Sequence, residues 1–495
     1  MTPRQILAQP LARRQVLRRM AVTASGLAIG PWLAGCGDGA TPATDLAVPL
    51  AVDPNVPWWM QNNFQPVSTE VEAFDLSIDG SLPPELNGLY VRNGSNAQAG
   101  VTSHWFLGDG MLHGIRLEGG RASWYRNRWV RTPLFTGRTD FTEAGPPIGG
   151  NNQSNVSVIF HGGKLLSSGE VGSAYHIDHR TLDTIGVEDF DGSVGTSFTA
   201  HAKIDPATGN MHFFGYWFAP PYLTYHVANP AGDVIHSAEI DLPAAPMMHS
   251  FAITDRDAIF YDLPVVFTPS AAAQGGFPYA WSDEHPARIG VLPLGGTNDQ
   301  IRWVEIEPCY VFHELNAFRE GDDVVVDVCR FERMMDGERF GDVEQNFRRW
   351  RVDTGSADLR FRDEILMERD LDFTMHDRRY TGRRTRHGWL TTFRPHPDTV
   401  ETGGILHLDV QSGRTLGEWD PGPNGHVGEP LFVPGGPGEG EGWLMTYTYD
   451  HARNASSFIV LDAQNVARGP IAEIALPQRV PYGFHGTWVP DDTSS

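Results

Sequence analysis

The chain has 495 residues, among them 54 Gly and 36 Pro, and 11% of its residues are aromatic. This composition favours a globular, turn-rich β fold, and a charged fraction of 20% is too low for a disordered acidic protein. The net charge of −23 argues against a nucleic-acid partner, because binding to a phosphate backbone requires a cationic face.

The N-terminal segment has the features of an export signal. Arg13 and Arg14 precede an apolar run over residues 20–33, which is too short to cross a bilayer. The pattern predicts a twin-arginine signal peptide over residues 1–35, and the alternative is a basic amphipathic helix of the folded domain. The twin-arginine route implies export after folding, which suits a protein that acquires its cofactor in the cytoplasm.

The apolar run ends in a short motif that resembles a bacterial lipobox: Leu33, Ala34, Gly35 and Cys36. In a lipobox the cysteine is acylated and becomes the new N-terminus, whereas the alternative is an ordinary small-residue cleavage site with an incidental cysteine. We expect residues 36–57 to form a lipidated tether that holds the protein to a membrane. The expected location is the periplasm or the cell envelope.

Residues 58–495 are expected to form one domain without an internal linker. Strand-like segments recur between turn signals, for example at 164–169, 258–262, 323–328, 404–410 and 442–447. More than 400 residues of short strands do not fit a single sandwich, so an all-β propeller is predicted. At roughly 60 residues per blade, about seven blades fit this length, although the sequence shows no strict repeat.

Several isolated histidines lie at or near the ends of strand-like stretches. They are His201, His249, His313 and His485, and none belongs to a compact zinc motif such as His-x-x-x-His on a helix. Taken singly, a histidine of this kind is more often a core residue than a metal ligand.

The body resembles the carotenoid cleavage oxygenase family over nearly its whole length. Five blocks match in order and character, at residues 86–96, 104–114, 125–132, 428–434 and 481–488. The resemblance implies a seven-bladed β-propeller, with the metal on its axis and loops forming a cap over it. It also implies one Fe(II) per chain, held by His201, His249, His313 and His485. Four imidazoles suit iron and leave two positions of an octahedral metal open for dioxygen and other small ligands.

In this family, carboxylates orient the ligating histidines and raise their basicity. Glu170 and Glu429 occupy two of those positions, and the resemblance assigns them this role. Asp372 falls where the third glutamate belongs, one methylene shorter. Three outcomes stay open: the backbone moves closer, a water bridges the gap, or the support for that histidine is weakened.

The implied activity is O₂-dependent cleavage of a conjugated carbon–carbon double bond in a carotenoid or apocarotenoid, giving two carbonyl products. An apolar tunnel would place one double bond beside the iron, and no separate general acid or base is required. A stilbene substrate is the alternative, but residues 133–136 lack the lysine expected in the stilbene-cleaving branch. A non-catalytic periplasmic binding propeller is the rival from another class, although such a module has no reason to hold four histidines with Glu170 and Glu429.

Overall fold

The computed structural model describes residues 48–137, 152–195, 197–336, 343–396 and 399–491. The predicted signal peptide, the predicted lipidation site Cys36 and residues 37–47 of the predicted tether lie outside these ranges. From Val48 onward the chain contacts the folded body: the Val48 N–H donates to Asn424 Oδ1 over 2.8 Å, and the Val48 carbonyl lies 2.6 Å from His451 Nε2. Within the described ranges, no helix is long and apolar enough to cross a membrane.

Seven antiparallel sheets form the blades of a β-propeller, which confirms the predicted fold class. We number the blades in chain order. Blade one contains Glu72–Leu76, Gly88–Arg92, Met111–Glu118, Arg121–Trp129 and the C-terminal strand Gly486–Pro490. Blade two contains Ser157–His161, Lys164–Ser168, Ala174–Ile177 and Thr184–Glu188. Blade three contains Lys203–Ile204, Met211–Tyr216, Leu223–Ala228 and Val234–Ile240.

Blades four to six are built, like blades two and three, from strands in sequence order, whereas blade seven also takes a strand from the beginning of the domain. Blade four contains Phe251–Ile253, Asp257–Asp262, Arg288–Pro293 and Arg302–Glu305. Blade five contains Tyr310–Glu320, Asp323–Phe331, Gln345–Asp353 and Arg360–Met367. Blade six contains Leu371–His376, His387–Phe393, Thr402–Asp409 and Arg414–Trp419. Blade seven contains Asp79–Gly80, Gly425–Val427, Leu431–Pro434, Gly442–Asp450, Ala455–Asp462 and Ala472–Ala475.

Few described residues lie outside the blades in regular structure. A hairpin inserted in blade four pairs Val265–Phe267 with Tyr279–Trp281, and the five-residue helix Pro269–Ala273 lies between these strands. The 3₁₀ turns are Trp58–Met60, Asn62–Phe64, Trp105–Leu107, Asn298–Gln300, Arg378–Tyr380 and Val466–Arg468.

The chain closes its own ring of blades in blade one. Gly486–Pro490 pairs antiparallel with Gly88–Arg92, with Gly486 opposite Arg92 and Pro490 opposite Gly88. This C-terminal strand is the axis-facing strand of a blade whose other strands come from the beginning of the domain. The ends of the described chain are therefore tied together by backbone hydrogen bonds.

Burial explains why the strands of one blade differ in amino-acid composition. Every residue of Val324–Phe331 is buried, because both faces of a middle strand pack on neighbouring strands or blades. The outer strand of the same blade, Arg360–Met367, is largely exposed and carries charged residues. Large side chains fill the space between blades, as where Trp389 of blade six stacks on Phe432 of blade seven at 4.9 Å.

Candidate metal centre

The structure brings together the four histidines that the sequence singled out. His201 and His249 each lie two residues before the axis-facing strand of their blade, blades three and four. His313 lies within the axis-facing strand of blade five, and His485 immediately precedes that of blade one. Nitrogen atoms from all four lie within 4.8 Å of one another. Strand ends from four blades therefore meet on the propeller axis, which local sequence spacing does not reveal.

Three of these imidazoles are held by carboxylates through Nδ1. His249 Nδ1 lies 2.8 Å from Glu170 Oε1, and His485 Nδ1 lies 2.9 Å from Glu429 Oε1. His313 Nδ1 lies 2.8 Å from Asp372 Oδ1. An ionised carboxylate accepts hydrogen bonds only, so each Nδ1 carries the proton and each Nε2 presents its lone pair to the axis.

Asp372 contacts its histidine directly, in spite of its shorter side chain. A β-bulge interrupts the pairing of its strand between Asp372 and Met375, and Phe373 adopts a left-handed φ of 48°. A bulge bends the strand locally and changes the direction of its side chains. The Phe373 ring packs on His313 with centroids 5.5 Å apart, so the same distortion also covers the imidazole.

His201 differs from the other three histidines. Among the described residues no carboxylate contacts its ring, and its backbone N–H donates to Thr199 Oγ1 over 3.0 Å. Burial and the neighbouring histidines lower the pKa of His201 well below its usual range. This ring is therefore kept neutral by its surroundings.

Two of these carboxylates oppose the effect of burial on their histidines. Burial lowers the pKa of His485 in spite of the Glu429 charge, whereas at His313 the lowering by burial is outweighed by the charge and hydrogen bond of Asp372 together with the charges of Glu429 and Glu314, which raise the pKa. Burial alone would raise the pKa of Glu429, but His485, which donates a hydrogen bond to it, and nearby His313 and Arg378 lower it. Glu429 is thus stabilised in its charged form.

The donor set fits a single metal ion. The Nε2 atoms of successive histidines are 2.9 Å (His201 to His249), 3.1 Å (His249 to His313) and 3.2 Å (His313 to His485) apart. Two nitrogens at right angles around a metal, each about 2.1 Å from it, are about 3.0 Å apart, against about 3.4 Å in a tetrahedron. Lone pairs this close repel one another unless a cation lies between them. Neutral imidazoles in this spacing suit one six-coordinate non-haem iron with open positions.

An apolar cavity ends at the cluster. It is lined by His249, His313 and His485, and its walls are largely aromatic and aliphatic, with contributions from Phe106, Phe277, Phe312, Phe331, Phe373 and Phe484. Phe277 and Tyr279 come from the hairpin inserted in blade four, so loop elements cover this side of the propeller. The cavity and its open mouth together enclose about 1650 Å³ of empty space. It can hold a long apolar ligand against the histidines.

A family model described as retinal pigment epithelial membrane protein matches residues 64–490. A carotenoid cleavage oxygenase of Mycobacterium tuberculosis is 36% identical, over 87% of this chain and 97% of the relative. The chain belongs to the carotenoid cleavage oxygenase family. An isoeugenol monooxygenase of Pseudomonas nitroreducens is 32% identical, over 86% of this chain and 96% of the relative. Among solved structures, a Pseudomonas brassicacearum lignostilbene dioxygenase superposes with a TM-score of 0.81 at 28% identity, covering 90% of this chain and all of that one.

The structure adds contacts to this carotenoid cleavage oxygenase centre that sequence reasoning missed. The buried Tyr216 hydroxyl donates to Glu170 Oε2 over 3.0 Å, so a tyrosine holds the carboxylate that holds His249. Lys203 and Glu314 form an ion pair at 2.5 Å, two residues from His201 and one from His313. Only the adjacency of Lys203 and Glu314 to histidines was visible in the sequence, and nothing there indicated Tyr216.

Proposed function

We propose that this protein is an Fe(II)-dependent dioxygenase that cleaves a conjugated carbon–carbon double bond of a carotenoid or apocarotenoid. O₂ supplies one oxygen atom to each of the two carbonyl products, so the atoms balance without another co-substrate. The observation that carries the proposal is the position of the four imidazoles at the end of a large apolar cavity.

Bound iron supplies the binding and activation of O₂ in this chemistry. His201, His249, His313 and His485 would hold it, and Glu170, Asp372 and Glu429 keep three of these rings in the tautomer and orientation that metal binding needs. The aromatic walls exclude water and align an extended polyene, so the depth of the cavity selects the double bond that reaches the centre.

A stilbene is the second candidate substrate. It is favoured by the likeness to a lignostilbene dioxygenase. The segment Pro133, Leu134, Phe135 and Thr136 carries no lysine, which favours the carotenoid or apocarotenoid.

The same proposal includes the cell envelope as the place of action. Arg13 and Arg14 would direct export of the folded protein, and acylated Cys36 would anchor it to a membrane. Replacing Cys36 by Ala should release the exported protein from the membrane fraction, and membrane association of that variant would contradict the anchor.

The decisive experiment combines metal analysis with product analysis. The purified protein should contain one iron per chain and convert members of a carotenoid, apocarotenoid and stilbene panel to aldehydes identified by mass spectrometry. The His313→Ala variant should lose iron and activity. The His285→Ala variant is the matched control, because His285 is also buried and paired with a carboxylate, Asp262 at 2.7 Å, but lies outside the cluster. Absence of bound iron, or intact iron without any cleavage, would support a non-catalytic binding propeller.

A further inference from the structure

One stretch of the cavity lining combines an arginine and a carboxylate with two hydroxyl groups, and other polar side chains, Gln345 and Asp370 among them, line the cavity elsewhere. Arg394, Glu401 and Thr402 from blade six line it together with Tyr482, which lies three residues before His485. We call these four residues the polar wall. Polar groups beside an apolar cavity are costly unless they form hydrogen bonds, so their unused donors and acceptors indicate what the cavity binds.

Arg394 is fixed by the protein scaffold. Its guanidinium donates to the carbonyls of Gly425 and Gly422 over 2.8 and 2.9 Å, and to Asp420 Oδ1 over 2.8 Å. Its contact with Glu401 Oε1 is longer, at 3.4 Å. Arg394 therefore places a positive charge beside Glu401 without satisfying its carboxylate.

Glu401 keeps acceptor capacity toward the cavity. Its side chain is only 12% exposed, and the long contact with Arg394 is its one side-chain hydrogen bond among the described residues. A carboxylate offers about four lone-pair sites. A ligand that donates a hydrogen bond would fill this deficit.

Two hydroxyls accompany this carboxylate. Thr402 is 7% exposed, and its hydroxyl lies beside that of Tyr482. Burial, and the negative charge of nearby Glu401, raise the pKa of Tyr482 well above its usual range, although the Thr402 hydroxyl acts in the opposite direction. The Tyr482 hydroxyl therefore keeps its proton and can donate.

We propose that the polar wall binds a hydroxyl group at one end of the substrate. This inference rests on the proposed function and narrows its substrate class to hydroxylated molecules, either ring alcohols or phenols. A hydroxyl donates to Glu401 and accepts from Tyr482, whereas an aldehyde end only accepts and a carboxylate end is repelled by Glu401. Tyr482 lies three residues before His485 in the sequence, so their Cα atoms are at most about 11 Å apart and one bound molecule can reach both.

The test measures binding to the metal-free protein, by quenching of tryptophan fluorescence. One pair of probes is a ring-hydroxylated apocarotenal and its unhydroxylated counterpart, and the second pair is 4-hydroxystilbene and stilbene. We expect the hydroxylated member of one pair to bind about 10- to 100-fold more tightly, as for a hydrogen bond to a charged acceptor. The pair that shows this preference identifies the source of the hydroxyl, ring alcohol or phenol.

Two variants and one control connect the preference to the polar wall. Glu401→Gln and Tyr482→Phe should each reduce the preference at least about fivefold while leaving affinity for the unhydroxylated probe within about threefold. Glu418→Gln is the control. Glu418, in the outer strand of blade six, also pairs with an arginine, Arg369 at 2.6 Å, but it does not line the cavity. Equal binding of both members in both pairs, or a preference retained in both variants, would overturn the inference. If the iron-loaded protein cleaves none of the four probes, the proposed function fails for these substrates. The binding data still decide whether the polar wall binds a hydroxyl group.

Discussion

Asp372 shows how a single residue that departs from a family pattern is accommodated by its backbone. Of the three outcomes that the sequence left open, the direct contact with His313 is the one seen, at 2.8 Å. The left-handed φ of Phe373 is unfavourable for a bulky side chain, so this contact is formed in a strained stretch of chain.

Replacing Asp372 by Asn should weaken iron binding or turnover about 10- to 100-fold, because the amide keeps the shape but loses the charge that supports the imidazole. Chelator competition measures the affinity. Asp372→Glu tests whether the local backbone is matched to the shorter side chain: the added methylene should cost about 1–3 kcal/mol of stability if the pocket is full. If the Asn variant binds iron as tightly and turns over as fast as the parent, the charge of Asp372 does not support the His313 imidazole.

Tyr216 gives a second prediction for a single residue. The Tyr216→Phe variant removes the hydroxyl that donates to Glu170 Oε2, and we expect iron affinity to fall by about three- to tenfold, less than for loss of the carboxylate itself. Cobalt(II) absorption spectra should change as well, because His249 becomes less firmly oriented. Tyr225→Phe is the control, since it breaks a buried Tyr–His contact of 2.6 Å in the same blade, away from the centre. Equal effects of the two variants would show that Tyr216 contributes only to general stability.

The position of the loop before His485 depends on very close packing of its backbone against the backbone of residues 93 and 94. A Cβ at Gly94 would lie 2.7 Å from the Gly483 Cα, and a Cβ at Gly483 would lie 2.7 Å from the Asn93 carbonyl oxygen. Real Cβ atoms do not approach backbone so closely, so these two glycines set the position of the loop that carries His485.

Gly94→Ala should therefore displace this loop, lower iron affinity and destabilise the protein by about 1–3 kcal/mol. Thermal unfolding and iron content measure the two effects. Gly186→Ala is the matched control, because no atom lies within 4 Å of the Cβ position there. If Gly94→Ala behaves like Gly186→Ala, the close packing does not control the position of His485.

The elements themselves were largely predictable from local patterns. The segments expected at 164–169, 323–328 and 442–447 correspond to the strands Lys164–Ser168, Asp323–Phe331 and Gly442–Asp450. Alternation and β-branched residues between turn formers carry that information. The bulge at Asp372 was not predictable, because it depends on where His313 lies in another blade.

For the whole molecule, the centre links blades that are distant in sequence. Its four imidazoles come from blades one, three, four and five. A metal ion bound there connects these blades in addition to the pairing of the C-terminal strand. The family resemblance located the four histidines, but Tyr216 and the polar wall depend on side chains that meet only in three dimensions.

Iron should therefore stabilise the fold measurably. At a free metal concentration of about 100 times the dissociation constant, binding contributes about 2.7 kcal/mol, which raises the unfolding midpoint by a few degrees. Calorimetry with and without iron measures the shift, and the His313→Ala variant should lose most of it. The same shift in both proteins would place the stabilising metal elsewhere.

His485 is the last of the four histidines along the chain, and its position determines when the centre can form during synthesis. A ribosome delivers this imidazole and the strand Gly486–Pro490 after the other three histidines have already been made. A nascent chain can build blades two to six, yet it has neither a closed ring nor a complete ligand set. The set of four imidazoles is complete only once residue 485 has been made, and a chain truncated before it would lack a ligand as well as its closing strand.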